Sequence, residues 1–141
     1  MEGRKLTFQV MNRAEAIRYS HKPHSEKTAV ISIATDGEEY HSHVIASASN
    51  GVVGILVLWF DDVDGDGGMT KDDAVRIHRF VERHKDVNII VQCDAGVSRS
   101  AGVAGALMKH YNGDDSEIFN DPKYRPNMRC YRMVLNELEG M

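Results

Sequence analysis

The sequence predicts a single α/β domain with a mostly parallel central sheet flanked by helices, and three observations lead there. Apolar, β-branched runs at 28–34, 52–60 and 88–91 are unbroken rather than alternating, as in strands covered on both faces. Between the last two runs, Ala74, Ile77 and Val81 keep helical spacing, so this stretch reads as a crossover helix joining parallel strands. At 141 residues, 1–141 is one domain of ordinary size, long enough to bury a core without disulfides.

In chain order, Lys5 to Val10 alternates, with Leu6, Phe8 and Val10 on one face, and reads as a short strand. Asn12 followed by Glu15 is a capping box that opens a helix through Tyr19. After a polar link, Thr28 to Ala34 reads as a buried strand and Asp36-Gly37-Glu38-Glu39 as a turn. The sequence leaves the structure of 40–49 open. His41 and His43 lie there and would share a face if it were a strand, but no third ligand is near, and solvent-facing histidines are the preferred reading. Asn50-Gly51 marks a turn, and Val52 to Phe60, the most apolar stretch, is expected to be a central strand. The acidic, glycine-rich loop 61–68 follows, and Thr70 then caps a helix ending near His84. The strand Asn88 to Val91 runs through a short loop into a helix of small and apolar residues from Ser98 to Tyr111, which Asn112-Gly113-Asp114 ends. Pro122 and Pro126 bound a connector before a last helix over 127–139.

Composition narrows the function. A net charge of -4 and a pI near 5.9 disfavour nucleic acid or an anionic membrane as a partner for the whole surface, so any affinity for anions must be local. Two cysteines, Cys93 and Cys130, without a leader or long apolar run, point to a reducing, cytoplasmic setting. No membrane span is expected.

Ligands of open parallel sheets bind outside the strands' carboxyl ends, from which both the acidic loop and the loop at Cys93 should leave, facing each other. A strand, a tight loop and a helix N-terminus together turn backbone N–H groups inward and make an anion site. The loop residues Asp94, Ala95, Gly96, Val97 and Ser98 would line it, with Gly96 supplying unusual backbone angles. Arg99 can close the ring with a planar, two-pronged grip on phosphate oxygens. Cys93 then sits beneath the phosphorus, where the helix dipole, the N–H groups and the arginine favour thiolate over thiol.

Cysteine, five residues, arginine and serine, in Cys93 to Ser100, resemble the phosphate loop of the cysteine-dependent protein tyrosine phosphatases, and the chain is similar to their small dual-specificity branch. Arg125-Pro126-Asn127 resembles the proline-asparagine element before that branch's last helix. The resemblance implies the dual-specificity-like phosphatase fold and a protein phosphatase. Its substrates would be phosphorylated proteins or peptides, phosphotyrosine foremost, with phosphoserine and phosphothreonine open. It also implies a phosphocysteine intermediate on Cys93, Arg99 on the phosphate, Ser100 assisting the leaving thiolate, and no metal or cofactor. An aspartate some thirty residues before the cysteine would be the general acid. Asp61 and Asp62 both stand at that distance, and the family's pattern, set beside Leu58-Trp59-Phe60-Asp61-Asp62, favours Asp62.

Two departures stand out. Gln92 replaces the usual histidine before the nucleophile, which bears on thiolate activation. Asp94 brings an acid, and no lysine enters the loop, which argues for phosphoprotein over phosphoinositide. Two alternatives remain at this stage. One is a phosphate-binding module without turnover. The other is a calcium loop, since Asp62, Asp64, Asp66-Gly67, Met69 and Asp73 follow EF-hand spacing with an aspartate in the last place. The basic residues Lys123, Arg125, Arg129 and Arg132 read as solvated surface or as the flank of a phosphate site, and Cys130 as packing in the last helix.

Overall fold

Strands β1 (Phe8–Asn12), β2 (Thr28–Ala34), β3 (Val52–Trp59) and β4 (Asn88–Cys93) form a wholly parallel sheet in the order β1-β4-β2-β3. The computed structural model describes residues 6–22, 26–35 and 51–140; the turn at 36–39 and the segment holding His41 and His43 lie outside them. Helices α1 (Arg13–Ser20), α2 (Lys71–Arg83), α3 (Arg99–Asn112), α4 (Ser116–Phe119) and α5 (Met128–Glu139) complete the described elements.

Both cap signals in the sequence are realised. The Glu15 N–H donates to Asn12 Oδ1 at 2.7 Å, while the Asn12 N–H donates back to the Glu15 carboxylate at 2.9 Å. Thr70 and Asp73 form the same reciprocal pair at the start of α2, where the acid also complements the helix dipole.

The sheet divides the core in two. Ile89, Val91 and Cys93 of β4 join α2, α3 and α5 in the larger cluster, whereas Ile90, with Val30, Val52 and Met11, packs toward Ala16 of α1. This is the alternation of a strand covered on both faces, and it explains the unbroken apolar run. One expectation fails here. Val52 to Phe60 is the edge of the described sheet rather than a central strand, with Val53 39% and Trp59 44% exposed. β2, buried at every position, takes the central place.

The register fixes where the strands end. Asn12 lies opposite Cys93, Ser32 opposite Gln92, and Ala34 opposite Trp59. The carboxyl ends of all four described strands therefore reach one edge of the sheet, beside the loop that follows Cys93.

Candidate active site

The loop between β4 and α3 is held from several sides. Gly96 adopts φ +67°, and a Cβ there would come within 2.7 Å of the Asn12 nitrogen, so only glycine lets the β1–α1 corner lie against the loop. On the opposite side the connector before α5 runs along it, the Arg125 N–H donating to the Val97 carbonyl and the Asn127 N–H to the Ser98 carbonyl, at 3.0 and 2.9 Å. Helix α3 then leaves into the core, buried without interruption from Arg99 to Met108.

Cys93 Sγ lies 3.0 Å from Ser100 Oγ, both buried. The hydroxyl thus has a role besides capping. The N-cap position belongs to Ser98, whose side chain makes no cap bond and instead donates to Asp62 Oδ1 at 2.8 Å. Asn127 Nδ2 donates to the same oxygen at 2.8 Å. Both bonds fall on Oδ1. Asp61 is placed differently: its N–H donates to the Gly67 carbonyl at 2.7 Å and its carboxylate lies beside Gly67, within the acidic loop. The expected separation of the two neighbouring aspartates is therefore present, with Asp62 on the side of the loop that follows Cys93.

Arg99 is only 6% exposed. Its Nη1 donates to the Phe60 carbonyl at 2.8 Å and to the Thr35 hydroxyl at 3.3 Å, and its Nη2 stands 3.6 Å from Asp94 Oδ2. One branch of the fork is thereby tied to the ends of β2 and β3, and the other faces the loop. Asp94 Oδ1 in turn pairs with Arg13 Nη2 at 2.5 Å. Sequence spacing carried no signal for Arg13 or Thr35, because parallel pairing brings them in from strands distant along the chain. Asn127 was visible as part of a proline-asparagine element but not as a ligand of Asp62.

Gln92 is fully buried on the face of the sheet opposite Cys93, where it accepts a hydrogen bond from Ser32 Oγ at 2.5 Å while its Nε2 has no partner among the described residues. Burial pushes the Cys130 thiol up to about 12, with Asp62 adding in the same direction, so Cys130 stays protonated as a packing residue.

The calcium-loop alternative gains no support from the structure. Asp62 is engaged by Ser98 and Asn127, Asp64 by Arg132 at 2.8 Å, and Asp73 by the Thr70 cap, while Met69 is buried in the core. These carboxylates are drawn to separate partners, the element before them is a strand, and no group of metal-ligating side chains assembles among the described residues. The basic cluster also divides. Arg129 donates to the Met69 carbonyl and Arg132 pairs with Asp64, so two of its members hold the acidic loop, while Arg125 borders the loop after Cys93 through its backbone.

No protein-family model matches the sequence, nor does any curated protein. Solved structures do match. Tk-PTP in its active form aligns with a TM-score of 0.61 at 19% identity, covering 98% of this chain and 93% of that one. PTPMT1 in complex with PI(5)P aligns with a TM-score of 0.59 at 16% identity, covering 95% and 91%. A human tyrosine phosphatase-like serine/threonine/tyrosine-interacting protein follows with a TM-score of 0.54 at 20% identity, covering 82% and 78%. The fold is that of the small dual-specificity-like members of the cysteine-dependent phosphatase superfamily. No described helix is long and apolar enough to cross a membrane.

Proposed function

We propose that the protein is a phosphatase that hydrolyses phosphate monoesters on proteins or peptides, phosphotyrosine above all, through a phosphocysteine on Cys93. The observation that carries this reading is the Asp62 carboxylate hydrogen-bonded to Ser98, which brings an acid to the rim of a loop whose floor is the Cys93–Ser100 pair. That pairing supports a nucleophile, an anion-binding loop and an acid gathered at one site.

In the proposed reaction the Cys93 thiolate attacks phosphorus while Arg99 and the N–H groups of residues 94–98 hold the three equatorial oxygens. Asp62 gives its proton to the departing oxygen, which would otherwise leave as an unstable alkoxide or phenolate. As carboxylate it then draws a proton from the water that attacks the phosphocysteine. The Ser100 hydroxyl, 3.0 Å from the sulfur, donates to the thiolate as it leaves. The absence of lysine from the loop and the presence of Asp94 favour phosphoprotein over phosphoinositide.

The test is hydrolysis of an aryl phosphate in the presence of a chelator. The wild type is expected to turn over and Cys93→Ser not at all. Asp62→Asn should lower kcat by about 10²-fold or more, while Asp61→Asn stays within about threefold of wild type, as general acids contribute on that scale. Inert wild-type protein that still binds phosphopeptide would replace catalysis with recognition alone.

A further inference from the structure

We propose that Arg13, outside the phosphate loop, is a positioning residue that sets the loop's affinity for phosphate by holding the Asp94 carboxylate off Arg99. The proposal rests on the reading of this loop as the phosphate site. It begins from an electrostatic conflict. Asp94 directly follows the nucleophile, in a ring built to receive a dianion, and a carboxylate there opposes the ligand twice. It repels the incoming charge, and it competes for the guanidinium that should bind it.

Both halves of that competition are visible. Asp94 Oδ2 lies 3.6 Å from Arg99 Nη2, whereas Oδ1 lies 2.5 Å from Arg13 Nη2. The carboxylate is thus shared unequally, with the shorter contact to the arginine that would not touch the ligand. Arg13 is fixed in this role by backbone geometry. Asn12 is in register with Cys93, so the next residue of the β1–α1 corner falls beside the next residue of the loop, and the Arg13 N–H donates to the Asp94 carbonyl at 3.3 Å. Gly96 seals the same corner, its Cα facing the Asn12 nitrogen and Met11 carbonyl carbon with no room for a side chain. The Asp94 side chain is 43% exposed and that of Arg13 24%, so screening moderates the pair without abolishing it.

The test is a double-mutant cycle read as KM against kcat for an aryl phosphate at low ionic strength, with the Kd for inorganic phosphate measured on the same proteins by calorimetry. Arg13→Gln should raise KM and Kd by about tenfold, with kcat within about threefold, because the released carboxylate turns to Arg99. Arg13→Lys, which keeps the charge, should retain most of the wild-type affinity. Asp94→Asn should bind phosphate more tightly than wild type. In the Asp94→Asn background, Arg13→Gln should have almost no effect. An Arg13→Gln loss of the same size with and without Asp94 would mark a merely structural corner and overturn the proposal, as would equal Kd values across the set. If no variant, wild type included, hydrolyses aryl phosphate, the phosphatase reading fails, while the predicted order of phosphate Kd would still support the role of Arg13.

Discussion

Asn127 divides its amide between two tasks. Its Oδ1 accepts the Cys130 N–H and caps α5, and its Nδ2 holds Asp62, so one residue joins the start of the last helix to the candidate acid. Asn127→Asp keeps an N-cap acceptor but sets a second carboxylate against Asp62. It should lower kcat by about tenfold or more with little loss of melting temperature, whereas Asn127→Ala should lose both the acid's support and about 1 kcal/mol of cap energy. Kinetics and thermal melts on the two variants separate these roles; a wild-type kcat in both would dismiss the link to Asp62. The local grouping of Cys93, Arg99 and Ser100 was legible beforehand, because one loop and one helix turn impose their spacing. Thr35, Arg13 and the Asn127–Asp62 bond were not. They depend on which strand ends become neighbours, and a run of residues does not state strand order. Gln92 teaches the same point from the other side, since its place beside the nucleophile in sequence puts it across the sheet in space.

At the scale of elements, capping boxes, breakers and apolar period marked the helices closely, because those signals act within a few residues. The edge position of β3 was missed for a physical reason. An apolar run reports burial by whatever covers it, not the number of paired neighbours, and the middle of β3 is half-buried despite lying at the described edge. Helix α4 was also missed, being four residues long and anchored chiefly by Ile118, too short to show a period. The packing of α3 on α5 was written more quietly, in Gly102 and Gly105. A Cβ on Gly102 would stand 2.4 Å from the Asn127 carbonyl oxygen and 3.0 Å from Cys130 Cβ. Gly102→Ala must therefore push the N-terminus of α5 away, and with it the side chain that holds Asp62. The expected result is a loss of about 1–3 kcal/mol by denaturant unfolding and a fall in kcat larger than that of Gly105→Ala. At Gly105 the nearest atoms, from Phe119 and Tyr131, stand at 3.4 Å or beyond, so alanine fits. If Gly102→Ala proved as mild as Gly105→Ala, the close approach of the two helices would not be what positions the acid.

Across the whole molecule, α5 couples the candidate site to alkaline stability. Cys130, fully buried between α3 and the site, has its thiol raised from 9.0 to about 12, first by burial and then by Asp62, while Arg99 opposes the shift. Its neighbour Tyr131 moves from 10.0 to about 12 through burial and its hydrogen bond to Asp115, and Tyr111 rises too through burial and its bond to Glu82. All three bind a proton more tightly folded than unfolded. Their contribution is therefore complete below the unfolded values and is lost as pH climbs through the folded ones. For Cys130 the window opens near 9 and closes near 12, and a rise of that size corresponds to about 4 kcal/mol at most. Stability measured by urea unfolding should accordingly be flat up to about pH 9 and fall steeply above it. Cys130→Ala introduces a small cavity cost at every pH but removes the earliest part of the fall, so its curve should start lower and run flatter between about pH 9 and 11. Parallel curves for the two proteins would show that Cys130 does not titrate across the unfolding transition and that the alkaline limit is set elsewhere.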